Sequence, residues 1–131
     1  MNILAIDYGQ KRIGLAWVQL GLDVILPFGV IVTQTASGKP RKWRQELYHL
    51  IEQESIGRLV VGLPLGLDGN ENEHTYRIRD FVRQLQNQTN LPVEFIDERF
   101  TSHEAKRYGQ QGVSQDEKAA MIILEAYLNR K

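Results

Sequence analysis

Five short apolar runs, three of them within the first 33 residues, are the feature that most constrains the fold of this 131-residue chain. The first three cover Met1–Ile6, Arg12–Gln19 and Pro27–Thr33. They are joined only by a tight segment, Tyr8–Lys11, and by Gly21–Leu26. Connections of this length are too short for a helix, so the spacing predicts an antiparallel meander of three strands.

The other two apolar runs, Arg58–Leu63 and Pro92–Ile96, alternate with segments in which apolar residues recur at helical spacing. The predicted order is βββαβαβαα, and parallel crossovers of this kind are right-handed. We therefore expect an α/β fold with a mixed five-stranded sheet, made of the three-strand meander plus two parallel strands, and helices on both faces. The predicted helices are Lys42–Glu54, His74–Gln86, Thr101–Tyr108 and Ser114–Asn129.

The composition predicts one domain over residues 1–131, with a core large enough to need no disulfide or structural metal. Lysine plus arginine equals aspartate plus glutamate at 16 each, so no global charge indicates a nucleic-acid partner, although a neutral total does not exclude local patches. The absence of cysteine excludes disulfides, zinc fingers and thiol catalysis. The first apolar run is too short for a signal peptide or a membrane span, and we expect a cytoplasmic protein with no membrane partner.

Acidic residues end two of the predicted strands and open the last helix: Asp7, the pair Asp97 and Glu98, and Asp116. Strand ends meet at one edge of a sheet, and carboxylates gathered there are costly unless a cation lies between them. Ligand sets made only of oxygen suit Mg²⁺ or Mn²⁺. Such ions activate water in phosphodiester hydrolysis, so the pattern indicates an enzyme that acts on phosphates.

Only one member of the pair Asp97 and Glu98 is expected to point at Asp7, because adjacent strand residues face opposite ways. We prefer Glu98, whose longer side chain reaches further from the strand end. Asp97 is then left to pair with Arg99 or to cap the helix that follows. Taken alone, Asp7 also fits an ordinary turn after a strand.

Asp116 lies between Ser114 and Glu117, which have the spacing of a capping box. On local grounds it is an acid that complements the dipole of a helix start. A role for Asp116 as a metal ligand is favoured by two residues further along the helix, Ala119 and Ala120. Small residues let the helix pack close to the sheet and would bring Asp116 towards the same metal.

Lys11 and Arg12 lie at the predicted hairpin tip beside Asp7, where they are candidates to bind phosphate oxygens. Gly9 and Gly14 would let backbone and phosphate approach closely. A glycine-rich loop follows the fourth strand, in Gly62–Leu65 and 68–70. It either cradles a phosphate or is a plain connection in which Asn70 or Asn72 caps the next helix.

Two groups of cations form either solvated helix faces or, if they share the metal edge, a surface for a nucleic-acid backbone. The histidines do not have metal-ligand spacing, and no functional importance is assigned to 72–74. One histidine near the second acidic segment, which holds Asp97 and Glu98, is a candidate to orient a water or a phosphate. The cations are Lys39, Arg41, Lys42 and Arg44, then Arg77, Arg79 and Arg83; the histidines are His49, His74 and His103, of which the last is that candidate.

Four segments in this order resemble the YqgF-like Holliday junction resolvases, also described as nucleases that process the precursor of small-subunit ribosomal RNA. They read IDYGQKRIGLA, VVGLPLGLDGNENEHT, IDERFTS and DEKAAMIILEAYL, at residues 6–16, 60–75, 96–102 and 116–128. The resemblance covers nearly the whole chain. It implies a ribonuclease H-like fold, the arrangement already predicted from the order of the elements, and a cytoplasmic role in ribosome maturation.

The resemblance implies a divalent-metal nuclease whose catalytic and metal-binding residues are Asp7, Glu98 and Asp116, with Mg²⁺ or Mn²⁺ as cofactor. Arg99 joins the two hairpin-tip cations, Lys11 and Arg12, as a nucleic-acid-binding residue. Resolvases of related fold carry an acid on the fourth strand, whereas here that strand ends in GLP. Of the three catalytic roles that the resemblance implies, the one assigned to Glu98 is therefore the least direct.

Three functions follow as alternatives. The first is hydrolysis of precursor 16S rRNA at its 5′ end, and the second is the same chemistry on branched DNA at a Holliday junction. The third is a non-catalytic nucleic-acid-binding module, against which the intact acids argue. We expect a monomer or weak homodimer. A kinase or chaperone-type ATPase is set aside, because 131 residues cannot supply two lobes around a nucleotide.

Overall fold

The computed structural model describes residues 1–100 and 112–130. The helix predicted over Thr101–Tyr108, together with His103, lies outside the described residues. No helix in the described ranges is long and apolar enough to cross a membrane.

Five strands form one mixed sheet: β1 (Asn2–Tyr8), β2 (Arg12–Val18), β3 (Ile25–Val32), β4 (Ile56–Leu63) and β5 (Val93–Asp97). Their spatial order is β3-β2-β1-β4-β5, so β1 is central. The first three strands pair antiparallel, whereas β4 is parallel to β1 and β5 is parallel to β4. This arrangement confirms the predicted meander with two added parallel strands.

Helices cover both faces of the sheet: α1 (Trp43–Gln53), α2 (Glu73–Thr89) and α3 (Gln115–Asn129). The first two helices pack on one face and enclose the larger apolar core, in which Leu47, Phe81 and Leu85 are buried. The third helix packs on the opposite face against a smaller core. Both faces are therefore covered, as the order of the elements predicts.

Several predicted strand boundaries differ from the observed ones by one or two residues, and the two largest differences within the meander lie in β1 and β3. β1 does not end before Asp7, because Asp7 and Tyr8 still pair with β2. β3 begins at Ile25 and not at Pro27, and a register shift opposite Leu15 and Ala16 accommodates the extra length. A proline is tolerated there because β3 is an edge strand, where its missing N–H costs no ladder hydrogen bond.

Small residues let α3 approach the sheet very closely. Ala16 of β2 and Ala120 of α3 are fully buried in the same cluster. Nearer the helix start, a methyl group added at Gly14 would lie only 1.9 Å from the carbonyl oxygen of Asp116. The first turn of α3 can therefore lie directly against β2, because Gly14 has no side chain.

The predicted capping box at the start of α3 is confirmed. The hydroxyl of Ser114 accepts the backbone N–H of Glu117 at 3.1 Å, and the carboxylate of Glu117 accepts the backbone N–H of Ser114 at 3.2 Å. These reciprocal hydrogen bonds fix the first turn of the helix, and with it the backbone of Asp116.

We predict that Gly14→Ala destabilises the protein by about 3 kcal/mol, the upper end of overpacking costs, because a backbone atom stands in the way of the new methyl group. Urea unfolding monitored by circular dichroism measures this loss. Gly57→Ala is the matched control: its methyl group would meet only the side chain of Met1, which is 58% exposed and can move. Equal losses in the two variants would show that α3 does not depend on Gly14.

Candidate active site at the edge of the sheet

A row of three residues crosses the sheet on its α3 face. Asp7 of β1 pairs with Gly14 of β2, and Gly62 takes the corresponding place on β4, the parallel neighbour of β1. Side chains two positions apart on a strand share a face, and the next row on this face is buried in the cores under α3. Asp7 therefore stands between two residues that have no side chain. The members of that next row are Ala5, Ala16 and Val60.

The gap above Gly62 is filled by Glu98. A methyl group added at Gly62 would lie 2.5 Å from Oε1 of Glu98 and 2.6 Å from Cδ1 of Ile123. Glu98 opens a short 3₁₀ turn, Glu98–Phe100, directly after β5. The prediction that Glu98 points towards Asp7 agrees with this geometry. The proposed phosphate cradle does not include Gly62, which lies inside β4 and makes room for a carboxylate.

The carboxyl groups of Asp7 and Glu98 lie within hydrogen-bonding reach of each other, and both side chains are half-buried. Burial, then the charge and the hydrogen bond of Asp7, and lastly the charge of Asp97 raise the pKa of Glu98 to about 8. Burial also raises the pKa of Asp7; repulsion by Asp116 adds to this rise, while the hydrogen bond from Glu98 and the nearby His74 oppose it. At neutral pH the metal-free pair therefore holds a proton between its two carboxyl groups.

Asp116 lies on the other side of Asp7, above Gly14, but its carboxylate is engaged elsewhere. Nε of Arg12 donates to Oδ2 of Asp116 at 2.8 Å, and the two side chains are 61% and 28% exposed. Ion pairs as exposed as this contribute about 1 kcal/mol or less, so another partner can displace Arg12 at little cost. Over residues 1–100 and 112–130, no three Asp, Glu or His side chains are grouped as they would be around a metal ion.

Asp97 pairs with Arg99, which confirms one of the two roles expected of it. Nη2 of Arg99 donates to Oδ2 of Asp97 at 2.7 Å, and the backbone N–H of Arg99 donates to Oδ1 at 3.0 Å. These hydrogen bonds hold the pKa of Asp97 below its ordinary value. The guanidinium of Arg99 also lies beside Gly69 in the loop after β4. Asp97 thus fixes Arg99 at the same edge of the sheet.

The loop after β4 is shaped by its own hydrogen bonds. Asp68 accepts the backbone N–H of Asn70 at 2.9 Å, and the N–H of Gly66 donates to the carbonyl of Asn70. Asn72, one of the two predicted caps, begins α2 in a reciprocal capping box with Thr75. The loop is therefore a tight turn that leads into a capped helix.

His74 is the residue at this edge that the sequence interpretation overlooked. It lies in the first turn of α2, close enough to Asp7 to lower the pKa of that carboxyl. The expectation that nothing important rests on 72–74 is therefore wrong for Asn72, which caps α2, while His74 lies near Asp7. The place of His74 in the sequence could have indicated this proximity. The helix that follows β4 begins at the same edge of the sheet at which β4 ends.

The two groups of cations have different surroundings. The arginines of α2 form three ion pairs with acidic residues of the same helix or of the loop before it. The group before and at the start of α1 is less engaged with acids: Arg44 stacks on the ring of Trp43, and Arg41 has only a 4.0 Å contact with Glu46. Lys11 is exposed at the hairpin tip.

The fold is similar to that of two solved structures of Thermus thermophilus RuvC, one of which is a complex with a Holliday junction substrate. The complex aligns with a TM-score of 0.65 at 14% identity, over 94% of this chain and 89% of RuvC. The other RuvC structure aligns with a TM-score of 0.61 at 14% identity, over 98% of this chain and 95% of RuvC. The sheet order and its neighbours define the ribonuclease H-like class, and the fold prediction is confirmed.

The chain belongs to the RuvX family, described as Holliday junction resolvases, whose family model matches residues 1–130. A relative from Maridesulfovibrio salexigens named "Putative pre-16S rRNA nuclease" is 36% identical over 138 residues, covering 99% of each chain. A relative of the same name from Coxiella burnetii is 37% identical over 138 residues, covering 99% of this chain and 95% of its own. The predicted family is confirmed, and the chain is a nuclease.

We predict that the metal-free protein loses stability as the pH rises. The pKa of Glu98 is raised from 4.5 to about 8 by folding, so the folded state binds the proton more tightly than the unfolded state. The stabilisation of the folded state by this tighter proton binding is fully present below pH 4.5. It is lost between pH 4.5 and about pH 8, at up to about 1.4 kcal/mol per pH unit. Glu98→Gln should remove this fall, as measured by urea unfolding in EDTA across that pH range.

Glu52→Gln, on the exposed surface of α1, is the control for a lost carboxylate and should keep the wild-type pH dependence. A Glu98→Gln variant whose stability falls with pH as steeply as that of the wild type would mean that the acidic pair shares no proton.

Proposed function

We propose that the chain is a divalent-metal-dependent nuclease that hydrolyses phosphodiester bonds in precursor 16S rRNA, in the cytoplasm and during ribosome maturation. The observation that carries this proposal is the contact between the carboxyl groups of Asp7 and Glu98 at the sheet edge. Two carboxyl groups placed together in a half-buried position cost stability in the metal-free protein, and a bound cation would offset that cost.

The oxygen donors of this pair fit Mg²⁺ or Mn²⁺, which prefer carboxylates and water as ligands. Asp7 and Glu98 would hold the ion, and Asp116 would complete the set once its carboxylate leaves Arg12. The short distance between the Asp116 backbone and Gly14 supports this third role, because it keeps the helix start beside Asp7. A bound ion of this kind supplies a water activated for attack and stabilises the charge on the phosphate oxygens.

The cations near the pair would hold the substrate. Arg12, released from Asp116, and the exposed Lys11 would bind phosphate oxygens next to the scissile bond. Arg99 is fixed by Asp97 at the opposite side of the edge, beside the loop after β4, where it would bind the strand beyond the cleavage point. These side chains would orient a phosphodiester without contacting the bases, so they would carry no sequence preference of their own.

Precursor rRNA is the substrate that the names of the relatives from Maridesulfovibrio and Coxiella support. A second candidate is a Holliday junction, which the description of the family and the RuvC complex favour. Cutting both strands of a junction needs two active sites related by two-fold symmetry, whereas trimming one rRNA end needs only one. A monomer that cleaves would therefore support the rRNA substrate.

We predict that Asp7→Asn lowers the rate of cleavage by about a hundredfold or more, because the loss of a metal ligand removes several kcal/mol of transition-state stabilisation. The assay compares a precursor 16S rRNA fragment with a four-way DNA junction, each with Mg²⁺, Mn²⁺ or EDTA. Asp23→Asn, an equal change on the exposed β2–β3 connection, is the control and should cleave like the wild type.

Cleavage by Asp7→Asn at the wild-type rate would show that the acidic pair is not the active site. Cleavage of the junction but not of the rRNA would favour the second candidate. Binding without cleavage by the wild type, under every metal condition, would leave a non-catalytic binding module.

A further inference from the structure

A groove of about 670 Å³ lies next to the acidic edge and is lined in part by Lys11 and Arg12. One wall is the tip between β1 and β2, which carries Lys11 and Arg12. The opposite wall is the loop over residues 34–38, which presents the hydroxyl groups of Thr35 and Ser37 and the backbone of Gly38. The two hydroxyls hydrogen-bond to each other at 3.0 Å, which leaves one hydroxyl proton for another acceptor, so the groove combines two cations with a hydroxyl donor for phosphate oxygens.

The charge around this groove is of one sign. Among the described residues, none that lines it is acidic, and the sequence has no acidic residue from position 24 to position 45. Four cations lie in that interval, in the residues that lead from the loop into α1. In a protein with equal totals of both charges, this concentration favours a polyanion. The four cations are Lys39, Arg41, Lys42 and Arg44.

The loop wall is held in place by its own hydrogen bonds. Gln34 and Pro40 form a β-bridge, the backbone N–H of Thr35 donates to the carbonyl of Lys39 at 2.7 Å, and the N–H of Gly38 donates to the carbonyl of Thr35 at 2.9 Å. Gly38 has a φ of 89°, a left-handed conformation that favours glycine. A wall ordered before binding spares the entropy that a flexible loop would lose.

Thr33 joins the two walls. It is 7% exposed, its backbone N–H donates to the carbonyl of Lys11 at 2.9 Å, and its hydroxyl donates to the carbonyl of Gln10. The buried hydroxyl therefore has a fixed partner at the hairpin tip. This link sets the separation between the backbones of the two walls.

The groove continues into the acidic edge through Arg12. This residue lines the groove and also donates to Asp116, whose backbone rests on Gly14 beside Asp7. A strand lying along the groove would thus run towards the acidic pair. No separate path across the surface is needed.

We propose that this groove binds the sugar–phosphate backbone of one substrate strand beside the scissile phosphate; the proposal rests on the nuclease function proposed above. Lys11 and Arg12 bind the phosphates from one side, and the 34–38 loop binds the backbone from the other. The groove reads no bases, so it accepts RNA and DNA through the chemistry that they share.

The test is a binding measurement in EDTA, where no cleavage occurs. Fluorescence anisotropy is followed with labelled oligouridylate and oligothymidylate of about 12 nucleotides, a length typical of single-strand sites. Ala36→Glu places a carboxylate in the exposed loop wall, whereas Ala36→Gln adds the same bulk without charge. We expect Ala36→Glu to bind roughly tenfold more weakly than Ala36→Gln, because the new carboxylate faces phosphates.

Gln86→Glu is the matched control for the change in net charge. Gln86 is exposed in the last turn of α2, at the end of the helix that lies away from the acidic pair. This variant should bind like the wild type. Equal weakening by Ala36→Glu and Gln86→Glu, or no measurable binding of either oligonucleotide by the wild type, would overturn the proposal.

A second measurement does not depend on the loop variants. The logarithm of the binding constant falls with the logarithm of salt concentration in proportion to the number of phosphates contacted. Lys11→Gln should reduce that slope by about 0.7, the value for one contact to a single strand. An unchanged slope would overturn the proposal. So would weakening by Lys11→Gln that is confined to one of the two oligonucleotides, because a groove that binds only the shared backbone treats both alike.

The two proposals fail in different ways. A protein that binds through the groove but cleaves neither substrate with any metal loses the nuclease function and keeps the groove. A protein whose cleavage depends on Asp7, but whose binding ignores residue 36 and Lys11, keeps the function and loses the groove.

Discussion

The contact between the carboxyl groups of Asp7 and Glu98 is the interaction on which the arrangement of the site depends. It is possible only because Gly62 leaves room on β4 for the side chain of Glu98, just as Gly14 leaves room on β2 for the start of α3. The central strand therefore presents one carboxylate with a gap on each side. The side chain of Glu98 fills one gap and the backbone of Asp116 fills the other, so three carboxyl groups are brought to one edge of the sheet.

This arrangement lowers the stability of the metal-free protein, and a protein that only needed to fold would avoid it. Burial raises the pKa values of both members of the pair, and repulsion adds to the rise, from Asp7 at Glu98 and from Asp116 at Asp7, so a proton takes the place that a cation would fill. Arg12 plays a similar part for Asp116, as an exposed and exchangeable counter-ion. A metal ion can replace the proton of the acidic pair, and it can also replace Arg12 beside Asp116, while a phosphate can take up the released Arg12. The electrostatic cost of the site is thus linked to its chemistry.

The fold was largely predictable from the sequence, because five apolar runs and their spacing restrict the topology to a meander with two parallel additions. Side chains alternate along a strand, which predicted that only one of Asp97 and Glu98 faces Asp7, and the longer reach of Glu98 decided between them. The gap-forming roles of Gly14 and Gly62 were not predictable, since they depend on which residues lie side by side in the sheet. The partner of Arg12 and the proximity of His74 to Asp7 also arise between elements that are far apart in the sequence.

The central claim is that the acidic pair holds a divalent cation. The most direct measurement is an anomalous difference map from crystals of the wild-type protein grown with saturating Mn²⁺. The account predicts a manganese peak in contact with the carboxylates of both Asp7 and Glu98, which then no longer share a proton. A map with manganese only at other positions, and with the two carboxyl groups still in contact with each other, would contradict it.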